Sequence, residues 1–177
     1  MKKMTTLHLC VLGVLCAMEV ALSRIAAINV GNYLRISFGF IPIAVCGILY
    51  GPVSAAIVAA CADVIGALLF PTGPFFPGFT LVAAAGGLIY GFWLHGKQAS
   101  VPRCLLTTLT VAVICNIILN TVFLVMTGAV VGPGNAAFMP TLWTRVLKNL
   151  IQFPVNGVIL FLLWKALDKL PAQLRLN

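Results

Sequence analysis

Six apolar runs, separated by short polar or Gly/Pro-rich breaks, follow one another along the chain. A helix needs about 20 mostly apolar residues to cross a hydrocarbon core of about 30 Å. The runs therefore predict six helical spans, at residues 5–27, 36–50, 53–70, 79–94, 104–127 and 141–167. The second span is short and contains Pro42, so we expect it to be tilted or partly irregular. The pattern predicts one domain over residues 1–177, an all-α membrane protein built as a six-helix transmembrane bundle.

Composition supports this class and excludes others. The chain is 62% hydrophobic and only 8% charged, whereas soluble domains carry about 25% charged residues. There is too little polar surface for a soluble enzyme or a nucleic-acid-binding protein. The formal net charge of +8 is therefore interpreted as a signal of membrane topology and not of nucleic acid as a partner.

The basic residues predict the orientation of the bundle. Six spans place both termini on one side, and Lys and Arg in short loops mark the cytoplasmic side. Seven of the eleven basic residues fall on that side: Lys2, Lys3, Lys97, Arg103, Lys165, Lys169 and Arg175. Both termini are thus predicted to be cytoplasmic. The longer Gly/Pro-rich loops 28–35, 71–78 and 128–140 then face outward, as expected for a protein that captures something from outside.

The four remaining basic residues, Arg24, Arg35, Arg145 and Lys148, lie at the outer ends of predicted spans. Ionisable groups in spans are costly and usually face a cavity or a partner. Arg24 and Arg35 could instead extend to the lipid headgroups, whereas a buried role is favoured for Arg145 and Lys148. The outer half of the bundle is therefore predicted to hold a positively charged site for an anionic ligand.

Amides at helical spacing support a site in the same region. Asn116 and Asn120 are four residues apart and share one face of the fifth span; Arg145 and Asn149 do the same on the sixth, beside Lys148. Such amides can also simply hydrogen-bond between helices.

The 71–78 loop adds further candidates. Thr72 and Thr80 flank it, Phe75 and Phe76 lie at its middle, and Asp63 precedes it by about two turns. The two phenylalanines could equally belong to an aromatic belt at the membrane interface. Convergence of these residues on one side of the membrane favours a ligand site.

Small residues recur every fourth position on the first span, at Gly13, Ala17 and Ala21. Such a ridge lets another helix approach closely. It could pack inside the bundle or dock a second membrane protein, and spacing alone does not separate the two. The six cysteines contain no CxxC pair, so they are interpreted as packing residues, and neither a metal site nor a cofactor is predicted.

Two stretches, residues 34–43 and 62–80, resemble the folate-specific S components of energy-coupling-factor (ECF) transporters, the FolT family. The segment Phe70-Pro71-Thr72-Gly73-Pro74 is the most specific part. Glu19 with Ser23 and Arg24, and residues 145–149, are also similar to the family. The similarity extends over essentially the whole chain.

The resemblance implies a function. Proteins of this family are multi-pass subunits of prokaryotic plasma membranes that bind one vitamin from outside. They associate with a membrane-embedded T component and two cytoplasmic ATPases, so the chain itself would not be an enzyme. The family docks the T component through a small-residue ridge on its first helix. The corresponding residues here are Gly13, Ala17 and Ala21, with Gly13 a departure from alanine.

For a folate ligand, the resemblance suggests that Asp63 accepts the two donors of the pterin, that Phe75 and Phe76 stack on the ring, and that cations meet the glutamate tail. Glu19 could instead pair with an arginine inside the bundle. The candidate folate-binding residues are Arg24, Arg35, Asp63, Thr72, Phe75, Phe76, Thr80, Asn116, Asn120, Arg145, Lys148 and Asn149.

Three alternatives remain at this point. An S component for another vitamin would keep the class, although a cationic site argues against thiamine. A membrane enzyme acting on a lipid would need acids or histidines near one face, and the chain has only three acids. An assembly protein would show no saturable binding of a small molecule.

Overall fold

The computed structural model describes residues 6–25, 28–30, 34–70, 76–98, 100–126 and 138–168 of the 177-residue chain. Its elements in chain order are α1 (Thr6–Val20), a π-helical continuation (Ala21–Ile25), β1 (Ile28–Val30), β2 (Leu34–Ile36), α2 (Phe40–Leu69), α3 (Pro77–Leu94), α4 (Val101–Val111), a π-helical segment (Ala112–Leu119), α5 (Asn120–Met126) and α6 (Phe138–Asp168).

Five helical stretches among the described residues are long and apolar enough to cross a membrane: Thr6–Arg24, Phe40–Leu69, Pro77–Leu94, Val101–Phe123 and Lys148–Leu167. Many of their large apolar side chains point outward, Leu68 and Phe92 being more than 70% exposed. In water such a surface would be unstable, whereas in a bilayer it meets lipid tails. The chain is therefore an all-α membrane protein, as its apolar runs predict.

The structure has five such stretches where the sequence predicts six spans, and the difference arises in α2. This 30-residue helix contains most of both predicted spans, 36–50 and 53–70. It is broken at Gly51, whose φ of +86° and ψ of −178° are not helical. A residue with a side chain rarely adopts this φ, and Pro52 follows directly. The two arms of α2 are thus separated by a Gly-Pro break.

A short β ribbon precedes α2. Strands β1 and β2 pair antiparallel, with Ile28 opposite Ile36 and Val30 opposite Leu34. The second span is predicted to start at about residue 36, at the end of this ribbon. Leu34–Ile36 pairs as a strand, and the helix begins only at Phe40. A three-residue strand is too short for its periodicity to be distinguished from that of the apolar helix that begins a few residues later.

Glycines allow α3 to lie directly against both arms of α2. A Cβ added to Gly47 would lie 2.9 Å from the backbone nitrogen of Gly91, and one added to Gly87 would lie 2.5 Å from the carbonyl oxygen of Ala55. A Cβ on Gly91 would overlap the Cα of Pro52. These contacts are backbone to backbone, so neither side can yield by rotating a side chain.

We therefore expect Gly91→Ala to destabilise the protein in detergent. Overpacking of this kind costs about 1–3 kcal/mol, which thermal unfolding monitored by circular dichroism would detect. Gly86→Ala on the same helix is the matched control, because its added Cβ would meet only the Cys115 sulfur at 3.9 Å. Equal melting temperatures for both variants would contradict the close approach of α2 and α3.

The core joins the second half of α6 to α3 and α4. Trp164 and Leu160 are 0–1% exposed and pack with Tyr90, Leu94 and Cys104. The α6 residues that line the cavity described next lie between positions 148 and 156, so they precede this core along the helix.

Candidate ligand site

A cavity of about 500 Å³ lies between the helices. Residues of α1, the 37–39 segment, the first arm of α2, α3, α4, the π-helical segment, α5 and α6 contribute to its walls. Its polar lining residues are Glu19, Ser37, Thr108, Asn116, Asn120, Lys148, Asn149, Gln152 and Asn156. Its apolar ones include Phe40, Ile43, Val82, Tyr90, Val111 and Phe153. Small-molecule sites have volumes of about 300–1,000 Å³ and combine apolar walls with a few polar groups.

Carboxamides dominate the polar part of the cavity. Asn116 of the π-helical segment donates from Nδ2 to Oδ1 of Asn149 on α6, at 3.0 Å. Asn120 follows on α5. The π-helical segment widens the helix by one residue per turn, and such bulges are frequent at functional sites. This bulge carries both Cys115 and Asn116 into the cavity wall.

On α6 the amides form one stripe. Asn149, Gln152 and Asn156 are spaced three and four residues apart, and all three line the cavity. This spacing places them on one face of the helix. Of these three, only Asn149 is among the residues that the sequence analysis predicts for the site. The i, i+3, i+7 spacing of the three amides is the signal that would have identified Gln152 and Asn156 as well.

Two charged side chains line the described part of the cavity, Glu19 from α1 and Lys148 from α6. Glu19 was predicted as a partner for an arginine and was not among the predicted ligand-binding residues. Lys148 was predicted to have a buried role facing a ligand. The cavity therefore offers one anionic and one cationic group on different helices.

Four of the predicted site residues, Asn116, Asn120, Lys148 and Asn149, meet at this cavity. In the sequence, helical spacing points to the asparagines of the fifth and sixth predicted spans, and Lys148 is next to one of them. The fold brings these faces of the two spans together at the cavity. These residues remain candidates for ligand binding, now on geometric as well as sequence grounds.

A second polar cluster forms away from the cavity lining. Thr80 donates from Oγ1 to Oδ2 of Asp63 at 2.9 Å, and Arg24 Nη2 lies 3.7 Å from Asp63 Oδ1. The Arg24 and Asp63 side chains are only 16% and 23% exposed. Gly66 makes room for the guanidinium, since a Cβ there would lie 2.9 Å from Arg24 Nε. The cluster joins the π-helical continuation of α1 to α2 and α3, and the cavity walls include none of its three polar residues.

Of the two aromatic candidates, Phe75 and Phe76, the structure describes only Phe76. Phe76 packs edge-on against Phe79, with ring centres 6.0 Å apart, and tilted against Phe123 at 5.7 Å. It does not line the cavity. Thr72 and Phe75 lie outside the described residues. The backbones of Arg35 and Arg145 lie in β2 and α6, but their side chains also fall outside the described part of the chain.

Within the described residues, no group of three or more His, Cys, Asp or Glu side chains could hold a metal ion. All six cysteines are free thiols. The described polar lining offers hydrogen bonding by amides and hydroxyls, together with one carboxylate and one ammonium group.

These features define an α-helical, multi-pass membrane protein with a cavity suited to a small polar molecule. Comparison with known proteins agrees. Residues 7–164 match the family described as "ECF transporter, substrate-specific component", and the chain belongs to that family. The resemblance found in the sequence is thereby confirmed. The family comprises transport subunits and not enzymes.

Individual relatives are similar over most of their length. A folate transporter FolT from Clostridium novyi (strain NT) is 39% identical over 154 residues, covering 86% of this chain and 85% of the relative. Another FolT, from Leuconostoc mesenteroides subsp. mesenteroides, is 37% identical over 165 residues, covering 91% and 86%. A crystal structure of FolT bound with folic acid superposes with a TM-score of 0.81 at 38% identity, covering 92% of this chain and 95% of that one.

Proposed function

We propose that this protein is the folate-binding S component of an ECF importer in a prokaryotic plasma membrane. One observation carries the proposal: an amide-rich cavity of about 500 Å³ lies inside a chain whose relatives, similar over most of their length, are named folate transporters. Folate is a flat pterin joined through an aminobenzoyl group to a glutamate. Such a ligand needs hydrogen-bonding groups and apolar walls at one end and a cation at the other.

Lys148 is the group we assign to the glutamate tail. It lines the cavity beside Asn149, and a charge-assisted hydrogen bond is about twice as strong as a neutral one. Arg24, Arg35 and Arg145 remain further candidates from the sequence. The cavity amides would satisfy the remaining polar atoms of the ligand, because an unpaired buried polar group costs about 1–3 kcal/mol.

We further propose that both arms of α2 cross the membrane, giving six crossings with both termini in the cytoplasm. The break at Gly51 and the contacts of Gly47 and Pro52 with the same residue of α3, Gly91, support a chain reversal. The ligand site would then lie in the outer half of the bundle, and the loops at 28–35, 71–78 and 128–140 would face outward. The distribution of Lys and Arg supports this orientation.

Transport requires partners in this proposal, a T component and two ATPases. Gly13, Ala17 and Ala21 of α1 and its π-helical continuation are all exposed. A Cβ added to Gly13 would meet nothing within 4 Å. A small-residue ridge that faces away from the bundle is available to another membrane helix, and we assign it to the T component.

The direct test is calorimetric titration of the detergent-purified protein with folic acid. We expect saturable 1:1 binding with a Kd below about 1 μM, or about −8.2 kcal/mol. Thiamine and riboflavin serve as controls and should give no heat of binding. Calorimetry is preferred to intrinsic fluorescence because Trp93, Trp143 and Trp164 are all absent from the cavity lining. Absence of folic acid binding by folded protein would overturn the proposed function.

A further inference from the structure

Two cations that the proposed function does not use, Lys97 and Arg103, lie at the turn between α3 and α4. The turn is fixed to the break in α2. Nδ1 of His95 lies 3.1 Å from the carbonyl oxygen of Ile48, and it must donate, since a carbonyl oxygen can only accept. A Cβ added to Gly51 would lie 3.6 Å from the same ring. Both cations therefore belong to a well-anchored part of the fold.

The two charged groups are themselves held in place. Lys97 Nζ donates to the carbonyl oxygen of Phe92 at 3.2 Å and lies 5.5 Å and 5.7 Å from the ring centres of Phe92 and Trp93. Arg103 Nη1 donates to the carbonyl oxygen of Gln98 at 3.3 Å. An ammonium group has three N–H donors and a guanidinium group has five. Because each of these hydrogen bonds uses one donor, both groups can also bind an anion.

Exposed apolar faces of α3 and α4 end at this turn. They consist of Leu81, Leu88 and Phe92 on α3, and of Pro102, Leu106 and Leu109 on α4. Their spacing of three, four or seven residues places each set on one side of its helix. In a bilayer these faces meet acyl chains. Lys97, above the Phe92 ring, lies where the apolar surface ends, which is the level that long cationic side chains at helix ends reach.

The acids of the described side chains lie elsewhere. Asp63 is on the second arm of α2, about 18 Å along the helix from Gly51 at 1.5 Å per residue, and Glu19 lies within electrostatic reach of Asp63. Neither Lys97 nor Arg103 forms an ion pair within the described part of the chain. An anion that neutralises this turn would therefore come from outside those residues.

We propose that the turn between α3 and α4 binds the headgroup of an anionic phospholipid, with the phosphate between Lys97 and Arg103 and the acyl chains along the two apolar faces. A zwitterionic headgroup carries its own cation beside the phosphate, so it gains less from two further cations. An acidic protein segment would match the charge but would leave the apolar faces without a use. The lipid would fix this end of the bundle in the headgroup layer.

The test is native mass spectrometry of the protein in neutral detergent, titrated with phosphatidylglycerol or phosphatidylcholine. We expect the first phosphatidylglycerol to bind at least about fivefold more tightly than phosphatidylcholine. Lys97→Gln and Arg103→Gln should each lower this preference about threefold, and the double variant should abolish it. Lys165→Gln is the matched control. It removes the same charge from an exposed residue of α6 outside the turn, and should change the preference less than about twofold.

Equal affinity of the wild-type protein for the two lipids would overturn the proposal, and this comparison needs no variant to fold. So would an equal loss of preference in all three single variants, which would indicate diffuse attraction to positive charge. Inorganic phosphate and glycerol 3-phosphate should not displace the lipid at equal concentration, whereas displacement would indicate a site for free phosphate and not for a lipid. The titrations contain no folic acid, so failure of folic acid binding would overturn the proposed function alone.

Discussion

Replacing Ala17 with valine is expected to reduce folate uptake by intact cells at least about tenfold, while purified protein binds folic acid as before. Ala17 lies in the middle of the exposed ridge formed with Gly13 and Ala21. Close helix packing in membranes depends on small residues that let two backbones approach. Two added methyl groups would keep the T component at a distance, whereas the cavity lies on the other side of α1 and is not touched.

The matched control is Ala17→Ser, which stays small and should retain uptake. Uptake is measured with labelled folic acid in cells that express the complete transporter, and binding is measured on the purified subunit. Loss of folic acid binding by Ala17→Val would mean that the ridge supports the bundle and does not dock a partner. Unchanged uptake would place the docking surface elsewhere.

Asp63→Asn is expected to weaken folic acid binding by more than tenfold, or about 1.4 kcal/mol, and to lower thermal stability. Asp63 holds Arg24 at 3.7 Å and accepts a hydrogen bond from Thr80. Removing one partner of a fully buried ion pair costs about 3–5 kcal/mol, and partial exposure places this pair below that range. Glu19 lies within electrostatic reach of both Arg24 and Asp63. An arginine released from Asp63 could therefore turn toward Glu19, which lines the cavity, and change the charge that a ligand meets there.

A double variant separates this indirect effect from direct contact. If Asp63 acts by holding Arg24, adding Arg24→Met to Asp63→Asn should restore most of the lost affinity, because the released guanidinium is then removed. Calorimetry on the two single variants and the double variant completes the cycle. Failure of the double variant to recover would favour direct contact of Asp63 or of Arg24 with the ligand, as the sequence predicts, and Arg24→Met alone distinguishes the two. Unchanged affinity in folded Asp63→Asn would remove Asp63 from the site altogether.

Much of the site could be predicted from the chain because its residues follow helical spacing. Helical spacing predicts Asn116, Asn120 and Asn149, and a basic residue at the outer end of a span predicts Lys148; all four line the cavity. Glu19 was not assigned to the site, because an acid in an apolar run can face a ligand or an ion-pair partner, and its sequence position favours neither. The tertiary structure places Glu19 in the cavity wall, with Gly39 packed against its carboxylate.

The sequence by itself determined the membrane class and the family. Apolar runs of sufficient length leave a helix as the only way to satisfy backbone hydrogen bonds in lipid, and the residues that resemble the family are contiguous in the chain. The break in α2 at Gly51 also falls where the sequence separates two predicted spans, because the Gly51-Pro52 pair is a local signal. Tertiary structure decided which acid lines the cavity and how closely α3 approaches α2. Those features depend on contacts between residues far apart in the sequence, such as Gly91 with Pro52 and Thr80 with Asp63, and no local pattern encodes them.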